Sequence, residues 1–161
     1  MEIAAVTSTA ARQAAFDIRR AVFIEEQSIP EAEEWDDADA IATHFLASDA
    51  TGPAGTARLI PAGDRVKIGR VAVLPQWRGT GLGRRIMQAA LDHAEAAGFR
   101  IATLEAQLHA IAFYERLGFV AEGPVFDDGS GILHRTMTRP LAGAAANRMS
   151  PDATARGVTH P

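Results

Sequence analysis

The stretch with the clearest chemical potential is a glycine-dense turn at residues 77–83, between a short apolar run and a helical period. Its three alternate glycines leave little steric bulk over the first turn of the helix that follows. Several backbone N–H groups without helical partners can then point at one ligand, where the helix dipole is positive. The turn is therefore predicted to bind an anion, most naturally a phosphate, although a turn that only packs helix against strand would have the same letters.

Two standard phosphate loops can be tested against this turn, and neither fits. The dinucleotide-binding spacing requires a glycine three positions after the second glycine, where this chain has Arg84 or Ile86. A Walker loop requires Gly-Lys followed by Ser or Thr, whereas Gly83 precedes Arg84 and Arg85. A nucleotide-phosphate protein is therefore disfavoured.

A second segment, residues 112–119, holds the only tyrosine of the chain, Tyr114, shortly before Gly118-Phe119. On a helical wheel Tyr114 falls on an apolar arc, which favours a packed core aromatic. A buried phenol nevertheless needs a hydrogen-bond partner, so the hydroxyl group is also a candidate site group.

The two segments together resemble the GCN5-related N-acetyltransferase (GNAT) family. The motif A pattern Arg/Gln-x-x-Gly-x-Gly/Ala is met by Arg78, Gly81 and Gly83, and residues 112–119 are similar to the other recurrent segment, one helix and one strand further on. A narrower likeness, from Arg20 to Met137, is to the branch typified by ElaA and YjcF.

This resemblance implies an α/β (α+β) GNAT fold. Its mixed central sheet would have six to seven strands, mostly antiparallel with a central parallel pair, flanked by about four helices. The loop amides would hold the pyrophosphate of acetyl-CoA, a bulge would splay the preceding strand and free backbone groups for the pantetheine arm, and Tyr114 would protonate or hydrogen-bond the departing thiolate. The expected cofactor-binding residues are Val71, Ala72, Val73, Arg78, Gly79, Thr80, Gly81, Leu82, Gly83, Arg84, His109 and Phe113.

The expected activity is direct acetyl transfer to a primary amine in a ternary complex, because a chain without cysteine has no thiolate for an acyl-enzyme. An amine is mostly protonated at neutral pH, so a base must remove a proton. Candidate bases are Glu26, Glu105, His44 and His109. The expected catalytic set is Tyr114, Glu26 and Glu105, and the expected substrate-binding set is Glu26, Gln27, His44 and His134. Each has a plainer interpretation, since a lone histidine is more often structural and Glu105 could simply end its strand in solvent.

Residues 21–57 contain no Lys or Arg, but eight acidic residues lie between Glu25 and Asp39. One interpretation is a solvated loop. The other is an electrostatic funnel for a cationic amine acceptor, either a small molecule or a peptide. A calcium loop would need a turn glycine and a closing glutamate that this segment lacks, so no metal is expected.

The elements that position these residues follow from hydrophobic patterning. Apolar runs bounded by turn residues predict strands over 2–6, 41–48, 55–60, 65–74, 99–106, 120–126 and 132–139. Helical spacing predicts helices from a cap at 7–9 toward Gln27, over 82–97 before Gly98, and over 109–119. Short turns make the first strands an antiparallel meander, and the βαβ order makes 99–106 parallel to 70–74.

The composition is that of a single globular domain, predicted over residues 1–141, with a disordered tail over 142–161. A net charge of −4 argues against nucleic-acid binding. The chain shows neither a membrane-spanning run nor a signal peptide at its start, so a cytoplasmic location is expected. A homodimer is left open. The alternative function is a non-catalytic acyl-CoA-binding or sensing module, which would have no use for the Tyr114 hydroxyl.

Overall fold

The computed structural model describes residues 1–142, so the predicted tail lies outside the described residues apart from Ala142. The strands are β1 (Glu2–Ala5), β2 (Thr43–Asp49), β3 (Gly52–Ala62), β4 (Arg65–Val73), β5 (Ile101–Gln107), β6 (Val120–Asp127) and β7 (Leu133–Pro140). The α-helices are α1 (Thr9–Arg19), α2 (Glu31–Glu34), α3 (Leu82–Ala96) and α4 (Ile111–Glu115). A π-helical segment, Arg20–Glu26, continues α1, and 3₁₀ turns lie at Asp37–Ala40, Pro75–Trp77 and Leu108–Ala110. No helix in this part of the chain is long and apolar enough to cross a membrane.

The described strands form one sheet in the order β1-β2-β3-β4-β5-β7-β6. Only β4 and β5 are parallel, and the other neighbouring strands are antiparallel. The predicted mixed sheet with one parallel pair and about four helices is therefore confirmed.

Helices cover both faces of the sheet. Phe45 and Leu46 are neighbours in β2 and so point to opposite faces. Phe45 belongs to the core cluster of α3 with Leu91, whereas Leu46 packs on the cluster of Ile18 from α1. Residues 54–59 of β3 are all buried, as expected for a strand covered on both sides. The neighbouring strand, β4, is therefore paired with a strand that is firmly packed on both faces.

Packing against the sheet fixes the start of α3. A 15-residue helix is marginal in isolation, and its stability comes from burying one apolar stripe. The buried residues of α3 recur at helical spacing: Leu82, Ile86, Met87, Ala90, Leu91 and Ala94. Each fully buried large side chain contributes about 1.5–3 kcal/mol. The predicted stop at Gly98 is confirmed, with φ of +89° and a bond from Phe99 N–H to the Ala94 carbonyl at 3.1 Å.

The third predicted helix is shorter than expected. Residues 108–110 form a 3₁₀ turn, and α4 covers only Ile111–Glu115. Gly118 has φ of +90°, and Phe119 N–H bonds to the Tyr114 carbonyl at 3.2 Å, which closes the helix early. Tyr114 thus lies in the last turn, close to the end of β5.

The parallel pair is joined over only three residues of each strand. Arg65, Val66 and Lys67 of β4 pair with residues 101–103 of β5, although β4 runs on to Val73 and β5 to Gln107. The register of β3 on β4 shifts in the same region, and Arg70 has a left-handed φ of +49°. This is a β-bulge, which bends and twists the strand that carries it. The splay implied by the resemblance is therefore present.

Candidate active site

A cavity of about 410 Å³ lies where β4 and β5 diverge. This volume is in the ordinary range for small-molecule sites. Its walls come from β4 and β5, from the π-helical segment, from α4 and from the turn between β6 and β7. The divergence leaves backbone groups of β4 beyond Lys67 without a partner on β5.

The glycine turn delivers unpartnered N–H groups at the start of α3, next to this cavity. Gly79 and Gly81 have φ of +76° and +87°, values that favour glycine, and Gly81 is the N-cap. Within residues 1–142, the N–H groups of Leu82, Gly83 and Arg84 donate to no recorded acceptor, and the first helical bond runs from the next residue to the Gly81 carbonyl. Diphosphate oxygens fit such a cluster of donors.

The predicted cofactor-binding residues divide into two groups. Val71, Ala72, Val73, Arg78 and His109 line the cavity. The remaining predicted residues lie outside it: Gly79, Thr80, Gly81, Leu82, Gly83, Arg84 and Phe113. Thr80 and Leu82 line a smaller hollow of about 260 Å³, and a Cβ at Gly83 would lie 3.5 Å from the Phe113 ring.

Arg78 links the glycine turn to the cavity. Its Nε donates to the Val73 carbonyl at 2.9 Å, and its two terminal nitrogens bind the two carboxylate oxygens of Glu26, each at 2.7 Å. The hydrogen bond from Arg78 lowers the pKa of Glu26. Glu26 is therefore a weaker base than a free glutamate, although it lines the cavity as expected.

Tyr114 also lines the cavity. Its ring packs edge-on against Phe113 and Phe119, with centroids 5.0 and 6.1 Å apart. Burial raises the pKa of Tyr114 to about 12, so the phenol is protonated at neutral pH. No hydrogen bond is recorded for its hydroxyl within the described residues, which leaves the O–H available to a group in the cavity.

Glu105 reaches the cavity from β5 and is paired with Lys67 of β4 at 2.8 Å. Gln27 and His109 are joined there through Gln107, to which the sequence analysis assigned no role. Gln107 exchanges side-chain hydrogen bonds with Gln27 at 3.0 and 3.3 Å and accepts one from His109 Nε2 at 2.8 Å. These three side chains connect the π-helical segment to the end of β5.

The two histidines predicted to bind substrate lie in different places. His44 is 4% exposed, its Nε2 donates to the Asp39 carbonyl at 3.0 Å, and it is not among the cavity residues. Burial lowers the pKa of His44, so the ring is neutral. His134 does line the cavity, beside Asp128, which the sequence reasoning missed. An aspartate in a Gly-rich turn is usually a turn former, so the sequence analysis gave Asp128 no functional role.

The acidic segment contradicts both interpretations offered for it at its two most buried positions. Glu34 and Asp39 are only 2% and 7% exposed, so they neither face solvent nor form a funnel. Arg19 holds both carboxylates, with contacts of 2.8 Å to Glu34 and 2.7 Å to Asp39. Arg58 binds Asp39 at 2.8 Å and Asp36 at 2.7 Å. The acidic segment has no basic residue of its own, and the arginines that bind it come from α1 and β3.

The same network holds the bulge of β4. Arg70 Nε lies 3.0 Å from Glu34 Oε2, and Arg70 Nη2 donates to the Glu34 carbonyl at 2.7 Å. The bulge residue is therefore tied to α2, on one wall of the cavity. Within residues 1–142, no group of three or more His, Asp or Glu side chains is placed to hold a metal ion.

A splayed parallel pair and a protonated phenol share one cavity, and the helix start with free N–H donors lies outside it, in the turn that Arg78 links to the cavity. This arrangement suits an acyl-CoA-dependent transferase. The model of the Acetyltransferase (GNAT) family matches residues 12–119. The uncharacterized N-acetyltransferase YjcF of Bacillus subtilis is 32% identical over 127 residues, covering 78% of this chain and 89% of YjcF.

Two solved structures extend the likeness to the fold. An acyl-CoA N-acyltransferase from Pseudomonas aeruginosa is 30% identical with a TM-score of 0.78, over 86% of this chain and 99% of its own. Escherichia coli ElaA has the same TM-score and coverage at 27% identity. The chain belongs to the GNAT family, in the branch of YjcF and ElaA. It is an acyltransferase, and its acyl donor is acetyl-CoA.

Proposed function

We propose that this enzyme transfers the acetyl group of acetyl-CoA directly to a primary amine while both substrates are bound. The observation that carries the proposal is the joint placement of Tyr114 and the splayed β4–β5 pair on one cavity. Acetyl-CoA bound between the two strands would place its thioester in the same cavity that the acceptor amine must enter. Positioning two reactants in this way can lower the activation barrier by about 7–11 kcal/mol.

The proposed donor site runs from the glycine turn into the cleft. The N–H groups of Leu82, Gly83 and Arg84 would bind the diphosphate, and the edge of residues 71–73 that has no partner on β5 would bind the pantetheine arm. Arg78 stands between these two parts because it contacts the Val73 carbonyl and also belongs to the cavity wall. Phe113 lies beside the turn, since its ring would be 3.5 Å from a Cβ placed on Gly83.

The proposed leaving-group acid is Tyr114. Its raised pKa keeps the proton on the phenol at neutral pH, and the recorded contacts leave its O–H free to donate. The chain has no cysteine that could form a thioester acyl-enzyme, which favours direct attack by the amine on acetyl-CoA.

The acceptor proposed here is cationic before it reacts. Three carboxylates on the cavity wall are matched by arginine or lysine, in the pairs Glu26–Arg78, Glu34–Arg70 and Glu105–Lys67. Asp128 has no arginine or lysine partner in the described part of the chain. A protonated amine entering the cleft would therefore meet an uncompensated negative charge.

Thiol release from acetyl-CoA, measured with a panel of polyamines, aminoglycosides, amino acids and peptides, tests the proposal. We expect release that requires both substrates, an acetylated amine by mass spectrometry, and initial-rate lines that intersect when both concentrations are varied. Parallel lines with an acetylated protein would contradict direct transfer. No release with any amine would contradict the amine acceptor.

A further inference from the structure

Asp128 and His134 form a pair on the cavity wall that the roles assigned so far leave unused. His134 lies at the start of β7 and is only 7% exposed, yet it lines the cavity. Its ring stacks on Phe126 at a centroid distance of 6.1 Å. Opposite it in the sheet register stands Gln107, the residue that joins Gln27 to His109.

The hydrogen bonds of this pair fix which atoms face each other. His134 Nδ1 lies 2.7 Å from the Ile132 carbonyl, which can only accept, so Nδ1 carries the proton. The neutral ring then has its lone pair on Nε2. Asp128 Oδ1 accepts from the N–H and the hydroxyl of Ser130, which leaves Oδ2 facing His134 Nε2 at 3.6 Å.

A separation of 3.6 Å is too long for a hydrogen bond between the two atoms but suits a third group bonded to both. An ammonium nitrogen can lie about 2.8 Å from Oδ2 and from Nε2 at once, because it carries three donors. The carboxylate would supply the opposite charge, and the lone pair on Nε2 would supply the base.

We infer that Asp128 and His134 together bind the acceptor ammonium group and that His134 Nε2 removes its proton. This inference rests on the proposed amine acetylation and names the base and the charge class of the acceptor. The proton passes from R–NH₃⁺ to Nε2, giving R–NH₂ and an imidazolium beside the Asp128 carboxylate. The freed amine forms the C–N bond to the acetyl carbonyl, the C–S bond breaks, and the thiolate takes the Tyr114 proton. The second proton of the amine nitrogen then restores the Tyr114 phenol as the amide forms, and the imidazolium releases its proton to solvent.

Other charged groups near the pair set its electrostatic environment. His109 is hydrogen-bonded to Gln107, the neighbour of His134 across the sheet. Glu105 lies on the same face of β5 as Gln107 and is paired with Lys67. Glu33 is near the turn, since its Oε2 would lie 3.5 Å from a Cβ placed at Gly129. Ser130 and its N–H lower the pKa of Asp128 against the opposing effect of burial, so Asp128 is charged at neutral pH. His134 Nε2 can accept a proton only while the ring is uncharged, so the proposed base should lose its function when the ring is protonated.

The test compares two variants with a matched control, using an amine that the wild-type enzyme acetylates. His134→Asn keeps an N–H for the Ile132 carbonyl but has no basic nitrogen. Asp128→Asn keeps an oxygen for Ser130 but has no charge. Asp127→Asn removes the charge of the neighbouring aspartate, which accepts hydrogen bonds from the Gly129 and Gly131 N–H groups within the turn and does not line the cavity.

We expect His134→Asn to lower kcat/KM for the amine by about 10²-fold or more and to abolish the rising limb of the pH profile. The loss should shrink for an amine whose own pKa lies below the assay pH, since it arrives without the extra proton. Asp128→Asn should raise KM for the amine about tenfold, and Asp127→Asn should leave both constants unchanged. The affinity for CoA should be the same in all three.

An unchanged pH profile in a folded His134→Asn variant would overturn the inference, as would an equal loss for amines of high and low pKa. If that variant fails to fold, Asp128→Asn decides, and an unaltered KM for the amine would then overturn the inference. These failures differ from failure of the proposed function, in which the wild-type enzyme itself acetylates no amine.

Discussion

The Tyr114 hydroxyl concentrates the proposed chemistry of the leaving group in one atom. Its ring is held by Phe113 and Phe119, so the position of the O–H is set by packing. Burial that raises its pKa to about 12 also disfavours the phenolate that remains after the proton is given up. Donation is therefore easiest when the thiolate takes the proton as the C–S bond breaks.

Replacing Tyr114 with Phe should lower kcat by about 10²-fold or more, because general acid catalysis contributes about that much. The change removes only the oxygen, so the packing against Phe113 and Phe119 should persist. Thiol release at saturating substrates measures kcat, and calorimetry with CoA should give an unchanged Kd. An undiminished kcat in this variant would show that another group, or water, protonates the thiolate.

Individual site residues differ in how far the sequence could place them. Tyr114, Glu26 and Glu105 were predicted as one set and do line one cavity, and their catalytic roles stay predictions. The sequence could not show that His44 lies away from the cavity, because an alternating strand pattern does not say which layer each face of the strand packs against. Asp128 was part of the likeness to the YjcF and ElaA branch but was given no role, since its pairing with His134 depends on how the β6–β7 turn folds back.

At the scale of elements, the bulge in β4 is the feature that opens the cleft. Arg70 adopts φ of +49°, a conformation that costs a residue with a side chain about 1–2 kcal/mol. Its ion pair with Glu34 and its bond to the Glu34 carbonyl offset that cost. The acidic helix α2 therefore acts on the shape of the cleft rather than on the charge of the acceptor.

The strain at Arg70 predicts that glycine is a more stable replacement than alanine there, the reverse of the usual order in a strand. Arg70→Gly and Arg70→Ala both lose the ion pair, but only alanine keeps the steric cost of a left-handed φ. The glycine variant should therefore be more stable than the alanine variant by about 0.5–1 kcal/mol, as measured by urea unfolding. At Lys67, which has an ordinary strand conformation, alanine should be the more stable by about 0.5–1 kcal/mol. The same order at both sites would mean that Arg70 is not strained.

The glycine turn before α3 gives a second element-scale prediction. Gly81 and Gly63 have φ of +87° and +63°, and a Cβ at either would meet no atom within 4 Å. Alanine should therefore cost each site about 1–2 kcal/mol of stability through backbone strain alone. Only Gly81→Ala should also weaken CoA binding, because it distorts the turn that presents the N–H donors. Calorimetry with CoA separates the two variants, and equal affinities would contradict the assignment of the loop.

The strands and helix ends were largely predictable because their signals are local. Glycines at 98 and 118 end the two helices, and period-2 runs mark the strands. The buried charge network was not predictable in the same way. Glu34 meets Arg19 and Arg70, which lie 15 and 36 residues away in the chain, and nothing in a run of acids says that it faces inward.

On the scale of the whole molecule, this network decides where the negative charge of the chain acts. Three arginines from α1, β3 and β4 neutralise Glu34, Asp36 and Asp39 between the sheet and α2. Buried pairs of this kind are costly to break, because one charge is left without its partner. The network therefore makes folding stability depend on the ionisation of these carboxyl groups.

Asp36 gives the clearest pH dependence. The hydrogen bond from Arg58 lowers the pKa of Asp36 to about 2 from its ordinary value of 3.8. A folded-state pKa below the unfolded value means that the stabilisation is present above about pH 4 and is lost as the pH falls toward 2. The shift corresponds to at most about 2.5 kcal/mol. Because the side chain is 41% exposed, we expect solvent screening to reduce it to about 1 kcal/mol.

Urea unfolding of the wild type and of Asp36→Asn over this pH range measures the effect. The variant should be less stable by about 1 kcal/mol at neutral pH, and the difference should shrink as the pH falls toward 2, where about half of the wild-type carboxyl is protonated in the folded state. Asp37→Asn is the matched control, since it removes an adjacent exposed carboxyl that has no ion pair in the described part of the chain. If the difference between Asp36→Asn and the wild type stayed constant down to pH 2, the Asp36–Arg58 pair would stabilise the fold by packing and not through its charge.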